Sequence, residues 1–174
     1  MMLVNTAENW GGGAKILHWA AAALIFAMLG LGLTMVHAKM SSGAKFEAYQ
    51  LHKATGFLVL AVTLARGVWR MASSPPAPPD RMRRWERLLA RTLHLALYVL
   101  ILAMIASGWL MVSGSPLPIP IHLPFGVTVP NLTGPNALLE ARAKFTHEVL
   151  SKLLIAAIAL HVVAALKHHF IDHD

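Results

Sequence analysis

The chain alternates between long apolar runs and short polar or Pro/Gly-rich breaks. Residues 16–36 (ILHWAAAALIFAMLGLGLTMV) and 92–113 (TLHLALYVLILAMIASGWLMVS) contain no Asp, Glu, Lys or Arg. The run 52–72 is apolar from Ala54 onward, apart from Arg66 and Arg70 near its end. The run 147–167 is uncharged from Leu153 to Leu166 and reaches spanning length by including Glu148 and Lys152, which can snorkel from a helix end. A spanning helix needs about 20 apolar residues to cross a hydrocarbon core ~30 Å thick. The pattern therefore predicts an all-α integral membrane four-helix bundle, with residues 1–174 forming a single membrane domain. The first run reads as a span, not a cleaved leader. No basic segment precedes it, it is too long for a leader's apolar stretch, and three more runs follow.

Charge then orients the bundle. The segment between the second and third runs, SSPPAPPDRMRRWERLLAR, opens on prolines that stop a helix, and arginines follow. Arg66, Arg70, Arg81, Arg83, Arg84, Arg87 and Arg91 all lie in or beside it. The first connection carries Lys39 and Lys45, and the third, from Ser113 to Phe145, holds only Arg142 and Lys144 among its basic residues. The positive-inside rule puts the middle connection and both termini on the cytoplasmic side of a bacterial inner membrane.

Composition agrees with a membrane protein: 56% hydrophobic residues and only 13% charged among 174, with a mean hydropathy of +0.57. A soluble domain carries about 25% charged residues. The formal net charge of +7 becomes mostly a cationic collar facing anionic lipid at the inner surface. Nucleic acid is not the expected partner, because no soluble basic face or recognition module is visible. The absence of cysteine excludes a disulfide framework, thiolate metal sites and covalently attached haem. No phosphate-binding glycine loop, Ser-His-Asp set or paired catalytic carboxylates stand out.

Ten histidines are the unexpected element, since ionisable residues inside spans are costly and are functional candidates by default. His18 opens the first helix on the inner side. His52 and His147 open the second and fourth helices on the outer side, and His161 follows His147 by 14 residues. Fourteen helical residues return to within about 40° of the same face and rise ~21 Å. The fourth helix thus offers one imidazole near each surface. His18 has the depth to partner His161, and His52 the depth to partner His147. Two imidazoles facing across a plane suit axial ligation of b-type haem in a bundle core. Two pairs so far apart cannot share one zinc ion.

Small and basic residues follow the same spacing. Gly32 lies 14 residues after His18, and Gly108 lies 14 after His94. Glycine there, and at Gly56 one turn after His52, leaves room for a porphyrin edge, although it also serves plain helix contacts. Arg66, 14 residues after His52, reaches the inner level, where it can pair with haem propionates or snorkel to the headgroups. His94 can line a quinone pocket, bond a propionate or be structural. His168 and His169 are interfacial or ligand-contacting, and His37, His122 and His173 read as surface residues.

The residues Ile16-Leu17-His18-Trp19, Leu51-His52-Lys53-Ala54-Thr55-Gly56, the RGVWR run from Arg66 to Arg70, His147-Glu148, Leu160-His161 and His168-His169 occur in an order that resembles the bacterial cytochrome b561 family. These are di-haem four-helix membrane cytochromes, and the likeness runs from about Ala14 to Phe170. A similar haem arrangement looks like that of cytochrome b subunits of formate dehydrogenases and nickel hydrogenases; the shortness of this chain favours the stand-alone group. The resemblance implies two haem b groups, ligated by His18 with His161 and by His52 with His147, and electron exchange with ubiquinone. Some members look like superoxide oxidases. Lys39, Lys45, Lys53, Arg142 and Lys144 can form an outer rim that attracts such an anion, or be ordinary interfacial residues. The expected function is electron transfer across the bilayer to ubiquinone, as a superoxide:ubiquinone oxidoreductase. The alternative is an electron-conduit and anchor subunit of a dehydrogenase or hydrogenase.

Overall fold

A computed structural model describes residues 3–78 and 82–172. Four helices dominate it: α1 (Gly12–His37), α2 (Ser42–Ala72), α3 (Arg84–Gly114) and α4 (Ala137–Lys167), the last running on into a π-helical turn over His168–Asp172. All four are long and apolar enough to cross a membrane. Each begins earlier than the apolar run inside it, because hydropathy marks only the part of a helix that meets lipid. Capping marks the true start. The Ser41 hydroxyl accepts from the Ala44 amide, the Asn136 side-chain oxygen from the Leu139 amide, and the Glu86 carboxylate from the Arg83 amide, each relieving orphan donors of a first turn. Arg84, Arg87 and Arg91 consequently sit on the opening turns of α3, not in a loop. Arg81 and His173 lie outside the described residues.

The helices associate as two close pairs, α1 along α2 and α3 along α4, with a lesser approach between α2 and α3. Backbones of α1 and α4, and of α2 and α4, make no comparable approach among the described residues. Few apolar side chains are buried by protein; Ala21, Val59 and Leu154 are among them, while Leu33, Leu64 and Leu153 remain exposed. That inversion suits a bundle whose outer surface is solvated by acyl chains and whose backbone bonds are all internal to helices.

At one end the N-terminal segment straps the bundle. Asn5 donates through its side-chain amide to the carbonyls of Ser73 and Ser74, and its own carbonyl oxygen accepts from the Gly11 amide. Behind the strap, a Cβ at Gly13 would run into the Trp69 indole, so glycine is what lets α1 and α2 meet there. At the same end Lys167 pairs with Glu86 at 3.2 Å and with Asp172 at 2.7 Å. The N-terminal segment around Asn5, the end of α2, the start of α3 and the end of α4 therefore share one side of the bundle.

At the other end the α3–α4 connection, expected to be a loop, contains a small antiparallel hairpin: β1 (Ile121–His122) pairs with β2 (Thr128–Val129), Ile121 opposite Val129. Its turn needs left-handed backbone at Phe125 (φ 63°) and Gly126 (φ 75°). Three bonds tie the connection down: the Trp109 indole donates to the Pro130 carbonyl at 3.0 Å, the Asn131 amide to Pro118 at 2.9 Å, and the Leu132 amide to the Ser113 hydroxyl at 3.0 Å.

Candidate functional site

Near the hairpin end, His52 on α2 faces His147 on α4, with ring centres 6.5 Å apart and planes at 71°. Glycines stand against both rings. A Cβ at Gly32 of α1 would lie 3.5 Å from His52 Cε1, and one at Gly108 of α3 would lie 3.2 Å from His147 Cε1. The described contact these glycines open is thus with an imidazole. At Gly56 a Cβ would meet only the Met28 methyl, at an ordinary 3.7 Å.

His147 is oriented from α3. Its Nδ1 lies 3.1 Å from the Met104 carbonyl and 3.1 Å from the Ser107 hydroxyl. A carbonyl can only accept, so Nδ1 carries the proton and Nε2 keeps its lone pair. A metal-binding imidazole is held in this way, its second nitrogen donating to backbone. Ser107 escaped the reading of the sequence, where it was one small polar residue within an apolar run.

Near the strapped end, His18 on α1 faces His161 on α4, with centres 6.2 Å apart and planes again at 71°. A third imidazole, which sequence reasoning left without a partner, joins them. The His94 ring on α3 lies 5.2 Å from that of His161, and its Nδ1 donates to the Ala90 carbonyl at 2.7 Å. Arg66 reaches the same level and lies over the Tyr98 ring, 5.7 Å from its centre. Thr63, Arg66, His94, Tyr98 and His161 line a small cavity of about 40 Å³.

The remaining histidines are elsewhere. His168 Nδ1 lies 2.8 Å from an Asp172 oxygen, the His169 ring meets Phe170 edge-on at 4.7 Å, and His122 bonds Thr128 within the hairpin at 3.2 Å. His37 ends α1.

The two ring pairs can be tested against a group held between them. An imidazole nitrogen sits ~2 Å from a bound metal and ~1.1 Å from its own ring centre, so two axial imidazoles have centres ~6.3 Å apart. The observed 6.2 and 6.5 Å match that spacing at both levels. Each pair also joins helices that stay apart, α1 with α4 and α2 with α4. His18 Nδ1 and His52 Nδ1 are buried without a hydrogen-bond partner. Among the described residues no cluster of three His, Cys, Asp or Glu could hold a metal ion alone. The residues present fit haem.

Comparison with known proteins gives the same direction. The profile of the prokaryotic cytochrome b561 family matches residues 9–174. The chain belongs to this family. It is 35% identical over 179 aligned positions to cytochrome b561 homolog 2 of Escherichia coli (strain K12), covering 100% of this chain and 92% of that protein. It is 26% identical over 125 positions to cytochrome b561 homolog 1 of the same organism, covering 72% and 69%. As a member of the cytochrome b561 family it is a four-span membrane cytochrome that binds b-type haem and transfers electrons.

Proposed function

We propose that this cytochrome b561 family member is a single membrane domain holding two b-type haems, and that it carries electrons from the outer side of the bacterial inner membrane to ubiquinone, with superoxide as the outer reductant. His18 and His161 would hold the inner haem and His52 and His147 the outer one. The observation that carries this reading is the repeat of one ring-pair geometry, 6.2 and 6.5 Å at the same 71°, at two depths on α4.

A b-type haem bound at such a pair supplies reversible one-electron exchange at its iron; the protein supplies binding, orientation and electrostatics. On the outer side the Met104 carbonyl and Ser107 fix the tautomer of His147, and Gly32 and Gly108 keep the two rings unobstructed. On the inner side Arg66 offers a guanidinium to the haem propionates. Gly56, one turn after His52, would leave further room beside the outer haem, although its own contact is with the Met28 methyl. Arginine, with its delocalised charge and several donors, is well suited to a carboxylate in a low-dielectric setting.

Electrostatics support an anionic reductant from outside. Lys39, Lys45, Arg142 and Lys144 are exposed at the hairpin end, with Lys53 half-buried there. They outnumber the acids of that end, Glu47, Glu140 and Glu148. A net positive rim raises the encounter rate of a small anion and loses that effect as salt rises. With the N-terminal segment, the arginine-rich opening turns of α3 and the end of α4 on the opposite side, the positive-inside rule supports cytoplasmic termini.

The test is superoxide consumption by the purified holoprotein with a ubiquinone analogue. Stoichiometric quinone reduction that slows with ionic strength supports the reading. Haem that is reduced only when a dehydrogenase or hydrogenase subunit is added would replace it with the conduit role.

A further inference from the structure

We propose that Thr63, Arg66 and Tyr98 form a carboxylate-binding cradle, and that the carboxylates it takes are the propionates of the inner haem. The inference rests on the reading that a haem lies between His18 and His161. It adds two residues, Thr63 and Tyr98, that the spacing of histidines does not single out.

Thr63 is the first observation. It is only 3% exposed, and its hydroxyl is buried with no hydrogen-bond partner. Helical hydroxyls ordinarily give their proton to the carbonyl one turn back. Thr34, Thr92, Ser113 and Thr146 all do so here, at 2.8–2.9 Å. Thr63 does not, although it lies in the middle of α2 with the same option available. A buried hydroxyl left unmatched costs ~1–3 kcal/mol, so a donor kept free in this way implies an acceptor to receive it.

Tyr98 is the second. Its hydroxyl, on α3, is likewise buried and unpartnered, and it borders the same space as Thr63. Arg66 is the third. Its guanidinium lies over the Tyr98 ring, and it enters none of the ion pairs among the described residues, which involve Lys167 and His168. Among the described residues no carboxylate lines the space. A cation within a membrane-spanning helix normally finds a counter-charge or a polar cavity.

One cation and two free hydroxyls around one space, with no acid among them, constitute a set of donors matched to an anion with several acceptor oxygens. A carboxylate has two such oxygens, with lone pairs for the guanidinium and a hydroxyl at once. The three donors come from facing elements, two from α2 and one from α3, so the occupant must sit between those helices and beside His161. A haem whose iron lies between His18 and His161 brings carboxylates to that level. The positive charge held there favours the reduced, less positive iron, so the cradle raises the midpoint potential of the inner haem.

The experiment is a redox titration of the purified holoprotein, resolved into the component lost in His161→Ala and the component lost in His147→Ala. In Arg66→Met the inner component should titrate lower, with its reduced-to-oxidised ratio at the wild-type midpoint falling about tenfold. Arg66→Lys should restore most of the shift. Tyr98→Phe and Thr63→Val should give smaller shifts of the same sign, and each should move the propionate bending bands in the resonance Raman spectrum of the inner haem. The outer component should not move. If Arg66→Met fails to assemble, Tyr98→Phe and Thr63→Val still decide the matter. Unchanged inner midpoint and propionate bands in these variants, with both haems present, would overturn the cradle and leave the di-haem reading standing. A wild-type protein without an inner haem would overturn the reading itself.

Discussion

The two ends of the bundle present the same pair of facing imidazoles in different surroundings. At the hairpin end, the protein itself orients one of the two rings: Met104 and Ser107 hold His147, Gly32 and Gly108 abut the rings, and Ile121 is buried at the base of the hairpin. At the strapped end, the site is crowded with groups that the protein leaves unmatched. His94 stands beside His161, while Thr63, Tyr98 and His18 keep buried polar atoms without partners. The contrast teaches that equal ligand geometry does not mean equal dependence on the ligand. At the outer level protein contacts orient His147 while His52 Nδ1 stays buried and unpartnered; the inner level adds the hydroxyls of Thr63 and Tyr98, whose satisfaction depends on what binds.

The largest effect that can break this comparison is loss of a ring. His161→Ala should remove the inner haem component and leave the outer one, while His147→Ala should do the reverse. The check is the reduced-minus-oxidised spectrum of each purified variant. Equal loss of both components from either change would show that the levels are not independent.

Next comes crowding at the glycines. Gly13→Leu drives a side chain into the Trp69 indole at the strapped end; overpacking of this kind costs ~1–3 kcal/mol and should lower the thermal midpoint. Gly108→Ala instead places a methyl 3.2 Å from His147 Cε1. It should perturb the outer component's spectrum and midpoint potential with the inner one unmoved. If Gly108→Ala shifts only the inner component, the assignment of levels is reversed.

Ser107→Ala is a smaller change. It removes one of the two acceptors near His147 Nδ1 but keeps the Met104 carbonyl. A lost hydrogen bond is worth ~1 kcal/mol, and the outer haem should be retained with a modest shift in its electron paramagnetic resonance g-values. Smallest of all, Glu86→Gln breaks an ion pair with Lys167 that is partly open to solvent. Its haem spectra should match the wild type, with at most a slight fall in thermal midpoint, because exposed pairs contribute little.

Much of this architecture was legible in the sequence, for definite reasons. Lipid makes apolar length a strict requirement, so the four spans stood out. Helical geometry turned a 14-residue spacing into a prediction that one face carries two imidazoles, and the structure brings His18 to His161 and His52 to His147. Helix starts were less legible, since Ser41, Arg83 and Asn136 act through hydrogen bonds that hydropathy does not register. The hairpin was missed because strands of two residues are too short to show alternation. His94 looked partnerless because its neighbour is His161, which the depth argument had already paired with His18; only the packing of α3 along α4 brings the two together. Thr63, Tyr98 and Ser107 were overlooked as isolated polar residues inside apolar runs, where a lone hydroxyl usually bonds its own helix. What distinguishes Thr63 is a bond it does not make, and no sequence pattern records that.

On the proposed reading, α4 carries one ligand for each of two haems. This is tested most directly by the haem-to-protein ratio of the purified wild-type chain, measured as the pyridine haemochrome against quantitative amino-acid analysis. Two b-type haems per chain are expected, falling to one in His161→Ala and one in His147→Ala. A ratio of one in the wild type, or none in either single variant, would contradict it.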